Sequence, residues 1–229
     1  MTTDSGDQRS THSVLIRVGG VAVLLGLIIH IIANVFLKQF PPADPSLEEL
    51  RSYLAAEAAT WQVVHGMRYA AIACLALFLG GIFARTHAAE NAGGWEYVGF
   101  VGGVLQLANL LITNGIETFA FLDFELQGEQ PALFWLVFHM TRVLFNAEIV
   151  AWSILIFGFS LAGWISKTVP RSIATLGYVA SAFGLLSGVF VGTVMTTGGW
   201  PAITFEIAAL SSLLWFLLIG VLMVVRGGS

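Results

Sequence analysis

The chain has 229 residues, of which 57% are hydrophobic and 10% charged, with a formal net charge of −4 and a mean hydropathy of +0.84. That balance excludes a soluble globule and gives no basis for nucleic-acid binding; it predicts an integral membrane protein whose first partner is the lipid bilayer. One cysteine, Cys74, excludes an internal disulfide.

Residues 1–13 read as a polar tail and 14–226 as a single membrane domain. Six stretches reach the roughly 20 residues that cross a hydrocarbon layer about 30 Å thick: Val14–Leu37, Trp61–Ala84, Trp95–Thr118, Ala132–Trp164, Ile173–Thr196 and Ala202–Val225. Their continuous apolar character predicts helices and argues against a closed barrel, which needs alternation. The fold class is therefore all-α, a six-transmembrane-helix bundle. The first span is too long for the core of a signal peptide and has no small-residue cleavage pattern, so it is expected to stay as an anchor. The fourth exceeds the bilayer and is expected to tilt or project.

Between the first two spans, Pro41, Pro42 and Pro45 end the first helix. Ser46 and Glu49 then form a capping-box pattern, with Leu47, Leu50, Tyr53 and Leu54 on one stripe. A short interfacial helix is predicted there. Arg9, Arg17, Arg85, Lys167, Arg171 and Arg226 flank one side of the spans, against Lys38 and Arg51 on the other. Both termini are thus expected on the inner, cytoplasmic side of the membrane. The opposite face carries Asp44, Glu48, Glu49, Glu57, Asp123, Glu125 and Glu129, which makes it acidic.

Two spans open alike, with "WQVVHGMR" at Trp61–Arg68 and "WLVFHMTR" at Trp135–Arg142, and the odd spans share a glycine-rich aliphatic texture. This pattern suggests a two-helix unit used three times in parallel. Small residues recur every four positions at Ala180, Gly184, Gly188 and Gly192, and again at Gly99 and Gly103. These faces predict close packing, either within the chain or between copies in a homo-oligomer.

Placed by depth, the polar residues gather in the outer half: His30 and Asn34 in the first span, His65 and Arg68 in the second, and Asn109, Thr113, Asn114 and Glu117 in the third. His139, Arg142 and Asn146 follow in the fourth, and Glu206 in the sixth. An arginine inside a membrane helix costs about 2.5–3.5 kcal/mol on insertion scales, so both arginines need partners. Glu117, Glu206 and Glu148 are the available counter-charges, with Glu148 turned to another side of its helix.

One reading of this layer is a purely structural network, as in an accessory membrane subunit. Another is an outward-facing pocket that binds, and by extension transports or senses, a small anionic or amphiphilic ligand such as a lipid headgroup, a carboxylate or a quinone. A third is a redox protein with haem b between two histidines, or a transition metal on His30, His65 and His139. No nucleophile elbow, metalloprotease pair or phosphate-cradling loop is present, which weighs against an enzyme.

The closing segments "VPRSIATLGYVASAFGLLSG" and "PAITFEIAALSSLLWFLLIGVLMVVRG" resemble a family of bacterial six-helix integral membrane proteins grouped only as a domain of unknown function. The resemblance covers the last two spans and, loosely, "RVGGVAVLLG" in the first. It implies six helices and no particular activity, and it does not include the histidine–arginine motifs.

Overall fold

The computed structural model describes residues 5–37, 46–89, 91–122, 130–189 and 200–227. Regular structure among them is entirely helical. Helix α1 (Ser5–Ile31) runs into a π-helical turn (Ile32–Leu37), followed by α2 (Leu47–Ala56), α3 (Ala58–His87), α4 (Trp95–Leu122), α5 (Pro131–Ile165), α6 (Arg171–Val189) and α7 (Trp200–Arg226). All but α2 are long and apolar enough to cross a membrane, which fits a multi-pass membrane protein.

The expected spans and the observed helices agree within about a turn at most ends. The expected end of the fifth span at Thr196 lies outside the described residues, as do Lys38, Pro41, Pro42, Asp44, Pro45, Asp123, Glu125 and Glu129. At the N-terminus the helix is already formed at Ser5, so the later part of the segment expected as a polar tail continues α1. The segment contains no proline, and Gly6 stands close to the helix start, where it costs little. Helix α5 has 35 residues. At 1.5 Å per residue it is about 50 Å long, well beyond the apolar layer.

Local chemistry explains the boundaries. Ser46 Oγ accepts from the Glu49 N–H at 3.3 Å, and Glu49 Oε2 accepts from the Ser46 N–H at 2.8 Å, completing the capping box of α2. Pro131 opens α5, where its missing N–H costs nothing. Gly93 and Gly94 adopt φ of +68° and +82° in the turn between α3 and α4.

Each long helix packs against the next, and α7 returns to α1, so the six spans form a closed up-and-down ring. Both termini lie at one end. Aromatic side chains fill the middle: Phe78 meets Trp215 and Phe216 edge-on, with centroids 6.4 and 5.3 Å apart, and Trp152 lies 4.6 Å from Phe216. At the end bearing the termini, Arg85 ties three elements together by donating to the carbonyls of Thr168, at 3.0 Å, and Arg226, at 3.3 Å.

Glycines set the approach of neighbouring helices. A methyl group on Gly81 would sit 2.9 Å from the Cα of Gly19, and Gly158 lies against the backbone of Gly99. The small-residue faces read from the sequence are used inside the chain: Gly99 meets Phe159, Gly103 meets Leu79, Gly184 meets Ser153 and Gly188 meets Val150. The described glycines of these faces are thus packed within the chain, while Gly192 lies outside the described residues.

A second apolar cluster sits at the other end of the bundle. Leu50 and Leu54 of α2 bury themselves with Ala33, Trp61, Val64, Ala120, Phe121, Phe134 and Phe138. The expected stripe on α2 is what docks, with Leu47 and Tyr53 at its margin.

Candidate functional site

The polar layer lies just beneath this second cluster. Its best-defined part joins α1, α3 and α4. Arg68 forms an ion pair with Glu117 and also donates to Asn34 Oδ1 from Nε at 3.3 Å and from Nη2 at 3.1 Å. Both charged side chains are largely withdrawn from solvent, at 18% and 12% exposure. In such surroundings an arginine without a counter-charge would be costly, and Glu117 removes that cost.

Asn34 lies within the π-helical turn. Its Nδ2 donates to the carbonyl oxygen of His30 at 3.0 Å, the group that its own backbone N–H would bond in an α-helix. With that acceptor taken by a side chain, the backbone widens to the i→i+5 pattern over Ile32–Leu37. The same amide then presents Oδ1 to Arg68.

Beside this pair, His65 is buried at 2% exposure and donates from Nδ1 to Asn114 Oδ1 at 2.8 Å. Asn114 Nδ2 returns a bond to the His65 carbonyl at 3.4 Å, which orients the amide. With the proton on Nδ1, the lone pair of a neutral imidazole is on Nε2. The ring stands among aromatics, 5.5 Å from Trp61 and 6.3 Å from Phe121.

The second motif is built differently. His139 is exposed and packs edge-on to Trp135 at 4.8 Å and to Phe138 at 5.7 Å. The Arg142 side chain lies outside the described residues. The two motifs are nevertheless linked, because Trp61 packs on Phe121 at 5.0 Å, Phe121 on Phe138 at 6.3 Å, and Phe138 on Trp135 at 5.7 Å. A continuous row of rings thus runs from Trp61 to His139.

Of the residues expected at the site, Asn34, His65, Arg68, Asn114 and Glu117 come together with His30 at their edge. Asn146 lies on α5, its Oδ1 buried without a hydrogen bond among the described residues, while on the seam between α4 and α5 Asn109 donates to the Leu144 carbonyl at 3.0 Å. Glu206 is exposed on α7 and does not pair with Arg68; the other arginine for which it was an available counter-charge, Arg142, has its side chain outside the described residues. Glu117 fills that role because it faces Arg68 across the adjacent pair α3 and α4, while α7 adjoins α1 and α6. The proposed metal set of His30, His65 and His139 does not converge: among the described residues no three His, Cys, Asp or Glu side chains gather closely enough to hold an ion.

Gln106 was missed. It is fully buried on α4, and neither polar atom of its amide has a hydrogen-bond partner among the described residues. With Thr113 Oγ1 and Asn146 Oδ1 in the same condition, α4 and α5 carry buried polar groups that water or a ligand would relieve. As the sole glutamine of the third apolar run, three residues before Asn109, it was visible in the sequence.

No protein-family model, curated protein or solved structure matches the chain. The resemblance of its last two spans to the six-span family rests on the residues quoted for it.

Proposed function

We propose that this protein of the bacterial cytoplasmic membrane, with both termini inside, binds a small amphiphilic ligand in the outer half of its helix bundle. The ligand class best suited is a neutral, ring-bearing amphiphile with an oxygen head, such as a quinone. The observation that carries this reading is the row of rings from Trp61 through Phe121, Phe138 and Trp135 to His139. Only the outer end of the row, Trp135 and His139, is open to a flat ring; Trp61, Phe121 and Phe138 are buried behind it and support it, and His139 supplies a hydrogen-bonding group at its edge. Because Glu117 already compensates Arg68, the cationic attraction expected for an anionic ligand is reduced, and the amphiphile is favoured over the anion.

The haem reading is weaker. The contacts that link His65 to His139 pass through Phe121 and Phe138, which favours a ligand lying at the outer end of the rings over one held between both imidazoles. A purely structural layer is the second reading, supported by the closed set of bonds that Arg68 makes with Asn34 and Glu117.

The test is a titration of the purified full chain in neutral detergent with decyl-ubiquinone and, separately, decanoate, read by tryptophan fluorescence. Saturable quenching by the quinone, weakened about tenfold in His139→Ala, supports the proposal. Equal responses to both compounds, a Soret band, or no saturable response would sink it.

A further inference from the structure

We propose a second site: the corner between α5 and α6, at the end of the bundle that holds both termini, binds the phosphate headgroup of an anionic phospholipid. It is independent of the outer layer. The corner forms a cleft of about 480 Å³ lined by Trp164, Ile165, Lys167, Val169, Pro170 and Arg171.

Two cations face this cleft without a counter-charge among the described residues. Lys167 and Arg171 are both exposed, and among the described residues no carboxylate pairs with either. The guanidinium of Arg171 lies over the Trp164 ring, 5.7 Å from its centroid. This stacking holds the planar donor group at the level where tryptophan favours the membrane interface, the level of lipid phosphates. A basic pocket between membrane helices at that depth suits an anionic headgroup.

Backbone geometry adds a separate argument. Lys167 has φ of +59°, the only described residue other than glycine with a positive value. Glycine adopts that conformation without strain, and helix ends favour it there. A lysine kept in this place puts an ammonium group at the cleft at a conformational cost, which is the pattern of a position held for binding.

A path for the acyl chains continues from the head. Trp164 packs on Tyr178, and Tyr178 on Phe157, each at 5.9 Å. Trp164 and Phe157 are 38% and 36% exposed, so the rings form an outward-facing strip. Seven residues separate Phe157 from Trp164, about 10 Å along α5 toward the middle of the membrane. A free phosphate ion would use the cations and leave this strip uncovered; a phospholipid would use both.

The experiment measures the thermal unfolding of delipidated full-length protein in neutral detergent, alone and with phosphatidylglycerol, phosphatidylcholine or inorganic phosphate. Phosphatidylglycerol should raise the Tm by about 5 °C or more at saturation, while the other two leave it within about 1 °C. The increment should vanish in K167A/R171A. In K167G the baseline Tm should rise through relief of strain, while the lipid increment falls to about half. An equal response to phosphatidylcholine or inorganic phosphate overturns the proposal, as does a full increment in K167A/R171A. Should that double variant not fold, K167G decides: a higher baseline with the lipid increment intact means that Lys167 serves only the turn.

Discussion

The two copies of the tryptophan–histidine–arginine motif have nearly the same letters and very different surroundings. In the first, Trp61 and His65 are buried beneath α2, and Arg68 is paired with Glu117 and Asn34. In the second, His139 is exposed and touches only rings among its described contacts. The difference comes from the neighbours. Helix α3 lies between α1 and α4, which supply Asn34, Asn114 and Glu117; α5 adjoins the same α4 from its other side, where Asn109 bonds a backbone carbonyl. A motif in a membrane helix therefore acquires its role from the helices beside it, and the two copies have divided structural and accessible tasks.

The sharpest way to break this contrast is Glu117→Ala, which strands Arg68 in a site largely closed to water. It should cost about 3–5 kcal/mol in stability, measured by denaturant unfolding in mixed micelles. The double variant Arg68→Met with Glu117→Leu should recover most of that loss, because removing both charges leaves no uncompensated one. A double variant as unstable as the single would refute the account of the pair.

Next come the histidines. His65→Ala removes the bond to Asn114 and a ring packed between Trp61 and Phe121, at a cost of about 2–3 kcal/mol. His139→Ala should change stability by no more than about 0.5 kcal/mol. Equal losses in the same unfolding assay would erase the distinction between the copies.

Asn34→Ala should cost about 1.5–2 kcal/mol through the lost bonds to a charged partner. It should also return Ile32–Leu37 to ordinary α-helical geometry, visible in backbone chemical shifts. A π-helical turn surviving without the side chain would show that Asn34 does not cause it.

The smallest effects concern the cover over the first copy. Ser46→Ala should lower stability by about 1 kcal/mol. Hydrogen bonds from the Ser46 backbone, and then from its hydroxyl, hold the Glu49 carboxyl below its ordinary value of 4.5. A carboxyl with a depressed folded pKa stabilises the fold above its unfolded value, and that contribution is lost as pH falls through the folded one. Trp61 fluorescence should therefore shift on acidification below about pH 4.5, and Glu49→Gln should flatten the step.

Much of this fold was legible in the sequence because membrane spans announce themselves by length and apolarity, and the capping box of α2 by two residues, Ser46 and Glu49. The depth of the polar residues was equally legible, since depth follows from position along a span. Pairing across helices was not. Asn34 and Glu117 meet Arg68 only because α1, α3 and α4 are neighbours in a ring, and Glu206 belongs to a helix on the far side of α1. The widening at Ile32–Leu37 was hidden too, as it depends on which carbonyl the Asn34 amide takes. Gln106 escaped attention because a single neutral amide lacks the signal of a charge.

The contact of α7 with α1, through Gly20 and Gly220, has a consequence for biosynthesis. During synthesis α1 emerges before α7, so it acquires one of its two neighbours only when α7 has been made. Until then its flank is covered by lipid or an insertion factor, and the ring stands open like a horseshoe. A chain truncated before residue 200 would keep that gap, so closure of the ring waits for the synthesis of α7.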